Sequence, residues 1–237
     1  PPEAFDVRNI ISSDNGMLTK LKEKFLYPEP PLYNEEIECL QKVGLTFVTP
    51  LSINPVSLDN VKIGLSISEP SDYELINKGI HGDLLIQLSQ ELSRHLLARK
   101  AELLYGGDIR PGGFTQFIFD EAMALNARMN SETISVKNYI AWPIYNGDSE
   151  SLKEWKCKYR NIARMINTPF PEDVKLLVPN GSENAFLPPI NTQNCYVWGR
   201  SLTNMRYELI GNSDIRISAG GKHLNYKGRM PGVLEEI

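Results

Sequence analysis

Two glycine-rich stretches that also carry basic residues are the parts of this sequence best suited to chemistry. Residues 106–115 contain four glycines and Arg110, and residues 220–236 contain four glycines and three Lys or Arg residues. Glycine allows positive φ and a close approach of the backbone to a ligand, and a helix that follows offers free N–H groups and the positive end of its dipole. Each stretch therefore predicts a site for the phosphate of a small anionic ligand.

The candidate ligand-binding residues lie at the glycine turns, at charged positions and at the start of the following helix. In the first stretch they are Gly106, Gly107, Asp108, Arg110, Gly112, Gly113, Phe114 and Thr115. In the second stretch they are Gly220, Gly221, Lys222, Lys227, Gly228, Arg229, Pro231, Gly232 and Glu235. One such loop is equally well explained as an ordinary turn with solvated lysines. Two loops of the same design favour ligand binding.

Apolar runs and helical periodicity place each stretch between a strand and a helix. We predict strands at residues 61–67, 101–105, 139–142, 174–178 and 215–219. Apolar stripes typical of helices lie at residues 83–99, 118–129, 151–162 and 192–210, and a short helix is predicted at residues 34–42.

Strands that alternate with helices indicate an α/β fold: a Rossmann-like, mostly parallel sheet with helices on both faces. In such a sheet every strand-to-helix loop leaves from the carboxyl edge, where ligands bind. We therefore expect the loops at Ser66, Gly106 and Gly220 to share one rim.

The chain is expected to divide near residue 60. Residues 1–59 contain several prolines and are interpreted as an N-terminal extension or linker, and residues 60–237 as the domain that carries both glycine stretches. The sequence begins without Met and stops just after a predicted helix starts, so we expect a piece of a longer protein, possibly truncated at its C-terminus.

Composition narrows the function classes. A formal net charge of -4 argues against general nucleic-acid binding, which needs a clearly basic face. There is no apolar run of about 20 residues, so no membrane span is predicted. Cys39, Cys157 and Cys195 are widely spaced, which predicts free thiols in a reducing cytoplasm and no metal site.

The chain resembles the SLOG superfamily, the Rossmann-like group that includes the Lonely-Guy phosphoribohydrolases, the Smf/DprA proteins and the sensor domains of TRPM channels. The resemblance covers residues 61–237. The residues that carry it are the glycine stretch 106–115, Met205-Arg206, Gly220-Gly221 and Pro231-Gly232-Val233-Leu234-Glu235-Glu236.

By this resemblance the protein is a sensor domain. Relatives in bacterial antiviral systems are fused to TIR, Sir2 or other effector domains and bind NAD-derived nucleotides such as ADP-ribose or its cyclic isomers. The resemblance implies a similar ligand here, no further cofactor, an effector in the same or a partner chain, and a homo-oligomer. It places the phosphates on the two glycine loops, with Ser66, Ser68, Arg200 and Arg206 as further contacts.

The resemblance also leaves an enzymatic alternative open. Enzymatic members carry a PGGxGTxxE motif and an Arg on the preceding helix, which Glu236 and Arg206 match here. The threonine position is Val233, and the glycine pair is reduced to Gly232. These departures favour a regulatory ligand-binding domain. The alternative is a nucleotide N-glycosidase or nucleoside ribosyltransferase in which Arg206 fixes the phosphate and Glu236 stabilises an oxocarbenium ion.

Overall fold

Five short strands form one parallel sheet in the computed structural model, which describes residues 25–26, 32–42, 44, 47–48, 56–69, 77, 83–107, 109–147, 149–178 and 186–221. The strands are β1 (Lys62–Ser68), β2 (Glu102–Gly106), β3 (Val136–Ile140), β4 (Ala163–Asn167) and β5 (Ile215–Gly220). Their spatial order is β4-β3-β2-β1-β5, and every neighbouring pair is parallel. The predicted Rossmann-like α/β fold is confirmed. Two-residue strands at Phe25–Leu26 and Phe47–Val48 pair separately.

Helices cover both faces of this sheet. They are α1 (Asn34–Lys42), α2 (Asp83–Ala98), α3 (Phe114–Met129), α4 (Trp142–Gly147), α5 (Ser149–Lys158) and α6 (Thr192–Gly211), and Glu172–Leu177 forms a 3-10 helix. Residues of α2, α3 and α5 enclose the main core with β1 to β4. On the other face Met205 and Leu209 of α6 pack against Leu104 and Tyr139. The connection from β4 to β5 contains α6 and passes β3, β2 and β1. A right-handed crossover in this direction places α6 on the opposite face of the sheet.

Most of the predicted elements are confirmed to within a few residues, but the strand predicted at residues 174–178 is wrong. That segment lies in the 3-10 helix and the turn after it. Val174 and Val178 are buried four residues apart, whereas Leu176 is 99% exposed, so the burial has helical spacing. The fourth strand is β4, an edge strand with a single buried residue, which does not form a continuous apolar run.

The third strand also differs from its predicted bounds of 139–142. It ends at Ile140, and Trp142 with Pro143 begins α4. Proline suits the first turn of a helix because no N–H is needed there. The predicted apolar stripes on α2 and α3 included Leu88 and Met129, but both side chains are exposed, whereas Ser89, Ser93 and Asn126 are buried.

The N-terminal helix α1 is attached to the C-terminal end of α3. The Glu36 carboxylate lies 3.8 Å from Nη1 of Arg128, and both side chains are almost fully buried. The Arg128 guanidinium also stacks over the Tyr33 ring, 4.2 Å from its centroid. A segment ahead of residue 60 therefore contacts the domain directly.

Candidate functional site

The carboxyl ends of β2, β1 and β5 lie side by side and form the rim on which the site is built. Ser68 at the end of β1 pairs with Gly220 of β5, and the Gly221 N–H donates to the Ser68 carbonyl oxygen at 2.7 Å. On the other side of β1, Gly106 ends β2. The two glycine stretches therefore begin at the same edge, one on each side of β1. Ligands bind at this edge in open parallel sheets.

The first glycine stretch is fixed by hydrogen bonds that its own N–H groups donate. Gly107 donates to Asn138 Oδ1 at 3.1 Å, Gly112 to Gln116 Oε1 at 2.8 Å, and Gly113 to the Arg110 carbonyl oxygen at 3.2 Å. The N–H groups of these three glycines are therefore used within the protein. We infer that these three N–H groups shape the loop.

Helix α3 begins directly after this loop with an N-terminus that suits an anion. Its N-cap is Gly113, which has no side-chain capping bond, and its first turn has no acidic residue. Phe114 and Thr115 occupy the first two helical positions, whose N–H groups have no acceptor within an α-helix. The dipole of α3 adds partial positive charge at the same point.

Thr115 places a hydroxyl group in this first turn. The residue is 1% exposed, and Oγ1 has no hydrogen-bond partner among the described residues. It packs against Gly107 so closely that a Cβ added to Gly107 would collide with Oγ1 and with the Tyr105 ring. A buried hydroxyl without a partner costs roughly 1–3 kcal/mol and is uncommon in native proteins. Its presence beside an uncapped helix start requires an explanation.

Two of the predicted ligand-binding glycines have a packing role. A Cβ on Gly106 would lie 3.0 Å from Cε of Met205, so glycine lets α6 approach the sheet. Gly220 has φ +71°, and its added Cβ would meet the Ser68 carbonyl oxygen. Glycine at these positions sets how closely α6 and β5 pack at the rim.

A comparison with protein-family models identifies the family to which this chain belongs. The family model described as SLOG cluster2 matches residues 57–237, which span the sheet and both glycine stretches. The chain belongs to the SLOG cluster2 family. No curated protein and no solved structure matches it. The resemblance to the SLOG superfamily is thereby confirmed, and the chain carries a Rossmann-like domain of this nucleotide-related group.

Below the rim of this SLOG domain, Ser66 is buried and its hydroxyl accepts a hydrogen bond from Nη2 of Arg216. The Arg216 side chain lies over Gly64, where a Cβ would collide with it. Ser66 thus links β1 to β5, and Ser68 contributes its carbonyl oxygen to the same connection. Sequence reasoning missed Arg216, although an isolated cation in the apolar run at residues 215–219 was a visible signal.

The two arginines predicted as further contacts lie on α6. Nε of Arg200 donates to Oδ2 of Asp173 at 2.6 Å, and this hydrogen bond raises the pKa of Arg200. Arg206 is partly buried and follows Met205, which packs at Gly106. Arg206 therefore lies near the end of β2, whereas Arg200 is nearly two turns away and ion-paired with the 3-10 helix.

The remaining predicted site residues lie outside the described residues. They are Asp108, Lys222, Lys227, Gly228, Arg229, Pro231, Gly232, Glu235 and Glu236. Within the described part of the chain, no group of His, Cys, Asp or Glu side chains could hold a metal ion. No helix among these residues combines the length and the hydropathy that a membrane crossing requires.

Proposed function

We propose that this SLOG domain is a sensor that binds an NAD-derived nucleotide, such as ADP-ribose or cyclic ADP-ribose, at the carboxyl edge of β2, β1 and β5. Binding regulates an effector domain in the same or a partner chain, in antiviral defence. The observation that carries the proposal is the buried, unpartnered hydroxyl of Thr115 at the uncapped start of α3. The resemblance to effector-linked SLOG proteins supports the choice of nucleotide.

The proposed contacts follow from the chemistry of the first turn. A phosphate oxygen accepts from the N–H groups of Phe114 and Thr115 and from the Thr115 hydroxyl, which supplies the acceptor that this group lacks in the protein. Hydrogen bonds to an ionised acceptor are roughly twice as strong as neutral ones. Because Thr115 Oγ1 is buried against Gly107, this contact must open when the phosphate binds.

The second glycine stretch supports a ligand larger than one phosphate. Gly106 and Gly220 end strands on either side of β1, so the two stretches begin about two strand spacings apart, roughly 10 Å. A nucleotide that extends across the end of β1 would reach both. The polar backbone at Ser68 and Gly221 lies between them.

The Thr115→Val variant tests this proposal. It replaces the hydroxyl with a methyl group of similar size, so we expect roughly 10- to 100-fold weaker nucleotide binding, the worth of one charge-assisted hydrogen bond. The free energy of unfolding should rise by roughly 1–3 kcal/mol, because the variant removes a buried hydroxyl that has no partner in the fold. Isothermal titration calorimetry with ADP-ribose, cyclic ADP-ribose and NAD measures the affinities, and thermal unfolding measures the stability.

Thr115→Ser is the matched control, because it keeps the hydroxyl and should bind within a few-fold of the wild type. Equal affinities of the valine variant and the wild type would remove Thr115 from the site. A wild type that binds none of the three nucleotides at millimolar concentration would reject the proposed function itself. Chromatography of the same samples shows whether free base is released.

A further inference from the structure

Asn138 is a fully buried amide side chain inside an apolar core. Side chains alternate between the two faces of a strand, so Asn138 shares a face of β3 with Val136 and Ile140. This is the face that α2, α3 and α5 cover. Its Nδ2 lies 3.7 Å from Sδ of Met165, a weak acceptor. Burying a primary amide on such a partner is costly. The strong contact of this side chain is therefore the other one, in which Oδ1 accepts from the Gly107 N–H.

This hydrogen bond fixes the peptide group at which the chain leaves β2 for the anion-binding turn. Gly107 follows the last residue of β2, and its Cα faces the Thr115 hydroxyl. By drawing the Gly107 N–H toward the sheet, Asn138 sets the direction of the loop and the position of Gly107 against Thr115. The bond joins residues 31 positions apart in sequence.

We propose that Asn138 is a positioning residue for the anion site, and that it is an amide because the site must have an uncharged acceptor beneath it. This inference rests on the proposed function. An aspartate has the same shape and accepts the same hydrogen bond, but its negative charge in a low-dielectric core would repel a bound phosphate. The neutral amide orients the loop without that penalty.

The Asn138→Asp variant gives a test that a merely structural role would not pass. Burial favours the neutral carboxyl, so its pKa is expected to rise. At low pH the neutral group leaves ADP-ribose affinity near the wild-type value. As the group ionises with rising pH, affinity should fall about tenfold or more relative to the wild type at the same pH, a change of one logarithmic unit.

Other titratable groups near Asn138 could also change the pH dependence of nucleotide affinity. Among the described residues of this core, the titratable side chains are the phenols of Tyr105, Tyr145 and Tyr159, and the Tyr159 hydroxyl accepts from Lys158 and donates to Asp120. The Arg94–Glu121 ion pair joins α2 to α3. Titrating the wild type over the same range corrects for these groups and for the ligand.

Two further variants complete the experiment. Asn138→Leu removes the acceptor without adding charge, and should weaken ADP-ribose binding about equally at every pH, by roughly tenfold. Asn126→Asp is the matched control, because Asn126 is also a buried amide but lies near the far end of α3, where Nδ2 donates to the Thr133 carbonyl oxygen. Its affinity should follow the wild-type pH profile.

Calorimetry is run on each variant at temperatures where circular dichroism shows it folded. An Asn138→Asp profile that parallels the wild type would overturn the inference, as would a folded Asn138→Leu with wild-type affinity. If the aspartate variant does not fold, the leucine variant alone decides. A wild type that binds neither ADP-ribose nor the other nucleotides marks the failure of the proposed function instead, so the two failures are distinguishable.

Discussion

The Gly220→Ala variant is expected to unfold with a free energy roughly 3 kcal/mol lower than the wild type. Gly220 has φ +71°, a conformation that costs an L residue about 1–2 kcal/mol. Its added Cβ would also lie against the carbonyl oxygen of Ser68, which is backbone and already accepts from the Gly221 N–H. Relief of this collision must shift β5 away from β1. Denaturant unfolding followed by circular dichroism measures the loss.

Gly112→Ala separates the two causes of this loss. Gly112 has φ +73°, almost the same as Gly220, but nothing lies within 4 Å of its added Cβ. Its variant should lose only the conformational part, about 1 kcal/mol. The difference between the two variants then reports the collision at the rim. Equal losses would show that β5 and β1 are not packed as closely as the structure indicates.

The glycine stretches were visible in the sequence because each concentrates its signal in one short segment. Four glycines and an arginine within ten residues predict a loop, and the apolar runs before them predict the strands. Adjacent residues 106 and 107 have different roles, however. Gly106 packs against Met205 and Gly107 against Thr115. A sequence without its fold does not distinguish glycine that binds a ligand from glycine that lets two elements pack.

The contacts that the polar residues make below the site could not be predicted. The partners of Asn138 and Arg216, which are Gly107 and Ser66, lie 31 and 150 residues away in the sequence. Such pairs exist only once the strand order is set, and that order follows from crossovers rather than from local pattern. The order β4-β3-β2-β1-β5 places Arg216 on the strand next to that of Ser66, and Asn138 on the strand next to the one that ends just before Gly107.

The burial of the Thr115 hydroxyl could not be predicted from the sequence either. The sequence placed Thr115 at the start of a helix, but a threonine there is more often an ordinary polar residue. Its burial and its missing partner depend on Tyr105 and Gly107, which close over it. Thr115 becomes a candidate ligand contact only because its buried hydroxyl lies at the uncapped N-terminus of α3.

The Glu121→Gln variant is expected to lose about 3 kcal/mol of stability while nucleotide affinity stays within about twofold of the wild type. Glu121 accepts two hydrogen bonds from Arg94, at 3.1 Å from Nε and 2.9 Å from Nη2, and both side chains are about nine-tenths buried. Burial alone lowers the pKa of Arg94, but Glu121 and Glu91 together more than offset this, and the pKa lies above its ordinary value. Glutamine supplies one acceptor and turns an N–H₂ toward the guanidinium, which leaves a buried cation poorly compensated between α2 and α3.

Glu91→Gln is the control, because Glu91 pairs with the same Arg94 at 2.5 Å but is 54% exposed. Its loss should not exceed about 0.5 kcal/mol, as for other solvent-screened pairs. Thermal unfolding ranks the two variants, and calorimetry with ADP-ribose at a temperature where both are folded compares their affinities. Because Glu121 lies more than a turn from the start of α3, a destabilised but folded domain should keep its anion site. If affinity fell together with stability, the loss in Thr115→Val could no longer be assigned to its hydroxyl.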